Sequence, residues 1–198
     1  MLAAARELFL VKGYDAVTME EIAVRARVSK ATLYAKFRDR SELLEAVIHK
    51  ESERIVGDSE LTEEAGLDLE DRLRRFGVRL LTFLTNSERL QFERLIGGAA
   101  ERYPHLATRF FDAGPGRARA TLAKLISAGC EHKLLRVEDP LAAAGDLAGL
   151  WQGFLRIETT LRYRRVPTRR ELQRRVDRGV RLFIRLYGVR KRPAAIGP

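Results

Sequence analysis

Three helix-start signals crowd residues 18 to 42. Thr18-Met19-Glu20-Glu21 is a capping box, in which the threonine oxygen takes an N–H of the first turn and Glu21 reaches back to the cap. Ser29 is the next cap candidate, opening a helix that Leu33 and Phe37, four apart, carry through Phe37. Asp39 and Glu42 repeat the box in an Asp-x-x-Glu form and open a longer helix through Leu43, Leu44, Val47 and Ile48. Ahead of all three, Leu2, Ala5, Leu8 and Phe9 form an apolar stripe that Gly13 ends. Starts so close together leave almost no loop, so this end of the chain must be short helices folded sharply on one another.

The rest of the sequence continues as helices with brief punctuation and no alternating strand pattern, which predicts an all-α protein. The acidic stretch "GDSELTEEAGLDLED" reads as a boundary, and Asp68 caps a helix carrying Leu73, Phe76, Leu80, Leu81 and Leu84. A helix around Phe92, Leu95 and Ile96 is followed by breaks at Tyr103-Pro104 and at Gly114-Pro115-Gly116, and another runs through Leu122, Leu125 and Ile126 to Gly129. Asp139-Pro140 opens one long helix with Leu147, Leu150, Trp151, Phe154, Leu155 and Leu161. Thr168 to Glu171 is a further capping box before a last helix with Leu172, Val176, Val180, Phe183 and Tyr187 on one face. The expected division is a helix-turn-helix unit at 1–48, a larger helical unit at 49–190 and a tail at 191–198.

Bulk properties narrow the function classes. With 198 residues and 45% apolar content the chain can bury a substantial core. Its best apolar run, "LAAAGDLAGLWQGFL", is broken by Asp146 and is too short to span a bilayer, and Arg6 and Glu7 sit where a signal peptide would be apolar. The single cysteine, Cys130, has no internal partner, which fits a reducing cytoplasm. The net charge of +10 is concentrated in residues 151–198, which hold 14 Lys and Arg against 3 Asp and Glu. A DNA reading therefore has to rest on local pattern.

That pattern lies in "VSKATLYAKF", residues 28–37. Leu33 and Phe37 face inward, while Ser29, Lys30, Thr32, Ala35 and Lys36 lie on an outward face. Small side chains let a helix sink into a major groove, and lysines supply groove or phosphate contacts. A short amphipathic helix with a solvated polar face would look the same over ten residues. The match, however, runs from residue 3 to 47: "AAARELFLVKGYDAVTMEEIAVRARVSKATLYAKFRDRSELLEAV" closely resembles the N-terminal DNA-binding domain of the tetracycline-repressor (TetR/AcrR) family of bacterial transcription regulators. The resemblance implies a phosphate contact for Thr18, contacts to bases and backbone for Ser29, Lys30, Ala31, Thr32, Ala35 and Lys36, a phosphate contact for the Tyr34 hydroxyl, and a phosphate-binding place for Arg40. Tyr34 equally suits the rim of a small core, with its ring packed and its hydroxyl wet.

Two departures from the family pattern stand out. Arg27 occupies the turn position where relatives usually carry glycine, so a left-handed backbone there would cost about 1 kcal/mol, unless the turn itself is altered. If Met1 is the native start, the basic arm that many relatives place ahead of the first helix is missing, which predicts fewer backbone contacts.

In the second half, "FERLIGGAAERYPHLATRFFDAGP" and "LLRVEDPLAAAGDLAGLWQGFL" resemble the AefR-like subgroup. This implies a homodimer through the last two long helices and an effector pocket in the helices before them. Candidate lining residues are Phe76, Leu80, Phe83, Phe110, Phe111, Trp151 and Phe154, since an apolar effector needs aromatic walls, although each suits a core equally well. Arg174, Arg178, Arg181 and Arg185 lie opposite the last apolar stripe and read as a solvated face. Cys130-Glu131-His132 are adjacent on a helix and diverge, so no metal or other cofactor is expected. Nucleophile elbows and phosphate-cradling loops are absent, which argues against an enzyme. The expected function is a homodimeric repressor that binds a palindromic double-stranded DNA operator and is released by a small, largely apolar effector. The competing reading is a helical interaction protein that has lost DNA binding.

Overall fold

The computed structural model describes residues 1–56 and 67–189, and the described residues fold as helices with no strand, only one isolated bridge between Leu135 and Gly188. The acidic boundary at 57–66 and the tail at 191–198 lie outside the described residues. In chain order the elements are α1 (Leu2–Lys12), α2 (Met19–Ala26), α3 (Lys30–Tyr34), α4 (Arg40–Val56), α5 (Leu69–Leu84), α6 (Ser87–Ala100), α7 (Pro104–Phe111), a wide π-type turn (Asp112–Gly116), α8 (Arg117–Glu131), α9 (Pro140–Gln152), α10 (Leu155–Thr160) and α11 (Arg169–Tyr187).

Most ends form for the reasons the sequence supplies. Both Thr18 and Thr168 make complete capping boxes with Glu21 and Glu171, and Asp68 and Asp139 accept the first free N–H groups of α5 and α9. At α4 the box is displaced: Asp39 accepts from Glu42 N at 2.8 Å, but the Glu42 carboxylate reaches back to Arg38 N at 2.7 Å.

Three expectations need correction. The recognition helix ends at Tyr34, not Phe37, because the chain must turn between there and the Asp39 cap, and the Lys36 and Phe37 N–H groups both turn back to Leu33 O. Gly114-Pro115-Gly116 is no break. The π-type turn carries the chain from α7 into α8, and its widened pitch accommodates a proline with no N–H to donate. The long helix expected from 141 to 161 is divided at Gly153, whose φ of +44° favours glycine. Arg175 of α11 fills the gap, donating from Nε to Trp151 O at 2.7 Å and from Nη2 to Gln152 O at 3.1 Å.

Two apolar cores result. One gathers α5, α8, α9, α10 and α11 around Phe76, Trp151 and Phe183. The other gathers α1 to α4 around Phe9, Ile22, Leu33 and Leu44, and it also takes in Phe92, Ile96 and Leu106 from α6 and α7. Between the cores, α4 touches α1 on one side and α5, α7, α8 and the wide turn on the other.

Candidate nucleic-acid interface and effector cavity

The interface starts with α3. Leu33 is fully buried and Val28 and Phe37 pack beside it against the α1–α2 core, which fixes which way the helix faces. Everything on its other side is exposed: Ser29, Lys30, Ala31, Thr32, Tyr34, Ala35 and Lys36, with Thr18 exposed at the start of α2. Ser29 Oγ accepts from Thr32 N at 3.0 Å and lies 2.7 Å from Thr32 Oγ1, so two hydroxyls are held in place at the helix start. Lys30 leans toward Glu20 at 3.4 Å.

The turn before α3 is left-handed at Arg27, with φ 55° and ψ 44°. Arg27 N donates to Val24 O and Val28 N to Ala23 O, which is the Schellman pattern that glycine normally completes. The turn is therefore unaltered in geometry and carries a side chain where glycine would be free of strain.

Arg40 is placed differently from the other candidates. Its Nη1 donates to Asp15 O at 2.8 Å and Val17 O at 3.1 Å, and its guanidinium lies 4.2 Å over the Tyr14 ring. In this structure Arg40 holds the loop that presents Thr18. Glu21 is held ionised below its usual range, first by Lys12 at 2.6 Å and then by the Thr18 N–H, which keeps the cap charged.

The candidate pocket residues separate. Phe76, Leu80, Phe83 and Phe111 line a cavity of about 490 Å³ between α5, α6, the wide turn, α8 and α9. Trp151 lies behind that wall, fully buried beside Phe76 with ring centroids 6.4 Å apart. Phe110 turns toward the core built on α1 to α4, and Phe154 is 77% exposed at the α9–α10 joint. These three do not line the cavity. Periodicity marked all seven because apolar spacing is the same for a wall, a core and an outer ledge.

The polar half of the cavity escaped sequence reasoning. Arg89 and Glu93, paired at 2.9 Å, sit i,i+4 on α6, and the Arg89 guanidinium packs over the rings of Phe83 and Phe110. The signal available was a charged i,i+4 pair beside the apolar residues Phe92 and Ile96.

A helix-turn-helix with an exposed, small-residue recognition helix, joined to a helical body with a cavity in its side, is the architecture of a DNA-binding regulator. Residues 1–47 match the family described as bacterial regulatory proteins, tetR family, and residues 71–189 match the AefR-like transcriptional repressor C-terminal domain. Among curated relatives, the uncharacterized HTH-type transcriptional regulator YdeS of Bacillus subtilis is 32% identical over 145 residues, covering 70% of this chain and 69% of YdeS. The transcriptional activator FasR of Mycolicibacterium smegmatis is 35% identical over 96 residues, 47% of this chain and 44% of FasR. Among solved structures, a TetR-family regulator from Mesorhizobium loti superposes with a TM-score of 0.80 at 31% identity over 95% of both chains. The flavonoid-responsive regulator FrrA gives 0.81 at 30% identity over 96% of both. The chain belongs to the TetR family of bacterial transcriptional regulators and is a DNA-binding regulator, not an enzyme.

Proposed function

We propose that the chain is a cytoplasmic, homodimeric repressor that holds a palindromic operator through residues 1–48 and lets go when a small, largely apolar effector fills the cavity of residues 49–190. The observation that carries this reading is the sorting of α3, with Leu33 fully buried and Thr32, Ala35 and Lys36 exposed on the far side. Thr18, Ser29 and Tyr34 anchor phosphates, and the small residues admit α3 to the groove. Arg40 acts as a positioning residue. The match to an AefR-like repressor domain supports repression, and the flavonoid response named for FrrA supports an apolar, ring-bearing effector.

Two copies are needed to read two half-sites about 34 Å apart. The stripe Leu172, Val176, Val180 and Phe183 is consumed by the chain's own core, so an apolar dimer contact falls to Leu150, Phe154, Ile157 and Leu161, all exposed on or beside α9 and α10. Burying such a ledge against its copy, with α11 alongside, removes large apolar groups from water.

The wide turn is suited to carry the signal. Phe111, Gly114 and Pro115 line the cavity, while Ala113 of the same turn lies in the core of the DNA-binding helices. Arg109 of α7 pairs with Glu45 of α4 at 2.6 Å, and Arg117 lies 2.9 Å from the His49 ring. An effector that binds one arrangement of this turn better than the other shifts the α4 population and with it the spacing of the two α3 helices. A gel-shift titration against the chain's own upstream DNA tests the reading. A sequence-specific complex that weakens steeply with salt is expected, and its absence at moderate salt overturns it.

A further inference from the structure

The charge of the cavity specifies more than an apolar guest. Its lining holds three arginines, Arg89, Arg119 and Arg156, against a single acid, Glu93. Arg89 is 8% exposed and Glu93 15%, so this pair forms a desolvated floor, with Arg89 further held between two phenyl rings. The one carboxylate is shared: Arg156 Nη2 also reaches it, at 3.5 Å. Arg119 has no acidic partner among the described residues, and its Nε donates to a backbone carbonyl, Leu141 O, at 3.0 Å. Arg119 from α8 and Arg156 from α10 are both exposed, whereas the aromatic wall of Phe76, Phe83 and Phe111 comes from α5 and the end of α7.

We propose that the effector is an amphipathic anion, an apolar body against the phenyl wall with a carboxylate or phenolate answered by Arg119 and Arg156. This rests on the cavity being the effector site. A cationic guest would add to a surplus of positive charge, and a neutral one would leave unanswered the charge that remains when one carboxylate is shared between Arg89 and Arg156. An anionic oxygen pair matches the planar donor fork of arginine and forms charge-assisted hydrogen bonds. The volume of about 490 Å³ suits a body of roughly 15 to 25 non-hydrogen atoms.

The test is calorimetric titration of the full chain with three probes that share one body, biphenyl-4-carboxylate, biphenyl-4-methanol and biphenyl-4-methylamine, repeated with dodecanoate and dodecanol below micelle-forming concentrations. The carboxylate is expected to bind about 10-fold or more tighter than the matching alcohol, with the amine weakest. In a double variant, Arg119→Gln with Arg156→Gln, the carboxylate-to-alcohol ratio should fall to about 1, the alcohol's binding itself showing that the cavity is intact. Equal affinity of acid and alcohol for the unaltered chain, a preference for the amine, or a ratio unmoved by the double variant overturns the anion assignment and leaves a cavity for apolar guests. Failure of every probe to bind overturns both the assignment and the reading of the cavity as the effector site.

Discussion

The indole of Trp151 lies so closely on the backbone of Gly179 that a methyl group added to the glycine would stand 2.8 Å from the indole nitrogen. On the opposite element, a methyl at Gly77 would come within 2.9 Å of the same ring and 2.8 Å of Val176 Cγ1. Trp151 is fully buried and backs the cavity wall through Phe76, so neither methyl has a flexible neighbour to displace. Gly179→Ala and Gly77→Ala should each destabilise the protein by about 1 to 3 kcal/mol in urea unfolding. Their effects should be non-additive, because both push on one ring.

Arg27 carries the opposite expectation. The turn it occupies is already the glycine form, so Arg27→Gly relieves strain without changing the fold and should stabilise by about 1 kcal/mol. Urea midpoints would check it, and an unchanged midpoint would mean that the arginine side chain earns its place through a contact of its own.

On the DNA side, Lys36→Ala should reduce the slope of log affinity against log salt by about 1, the signature of one lost phosphate contact. Tyr34→Phe, which keeps the ring and removes the hydroxyl, should weaken operator binding about 3- to 10-fold. Thermal melts of both should match the unaltered chain, since Tyr34 and Lys36 are exposed.

Glu45 and Arg109 are partly exposed and contribute little to stability as a pair. Their position between α4 and α7 predicts a different defect. Glu45→Gln should leave operator affinity within about twofold but cut about 5-fold the ability of biphenyl-4-carboxylate to release the DNA. Equal release in a filter-binding assay would remove this pair from the relay.

The start of α11 should survive mild acid. Hydrogen bonds from Arg165, then from the Thr168 backbone and hydroxyl, hold the Glu171 carboxyl down to about 2 from an ordinary 4.5. A depressed folded pKa stabilises above the unfolded value and loses that stabilisation as pH falls, here through the window from 4.5 to about 2. A carbon-13 titration of the Glu171 carboxyl should therefore show a midpoint near 2, moving toward 4.5 in Arg165→Gln.

Local chemistry determined what the sequence alone could settle. Capping boxes at Thr18 and Thr168, the caps at Ser29, Asp68 and Asp139, and the Leu33–Phe37 spacing depend on atoms a few residues apart, so the helix starts and the face of α3 were readable from the string of residues. What needed the tertiary structure was every relationship across long separations. Arg175 caps α9 from 24 residues away, and only that contact makes the break at Gly153 intelligible. That Arg40 also donates to two carbonyls of the loop before Thr18, 23 and 25 residues away, was not readable along the chain. Trp151 and Phe154 are spaced three apart, as Leu80 and Phe83 are on the cavity wall, yet one became core and the other surface, because periodicity reports only a shared face and packing decides what it meets. The arginines at the cavity came together from three helices, and no spacing along the chain encodes that meeting.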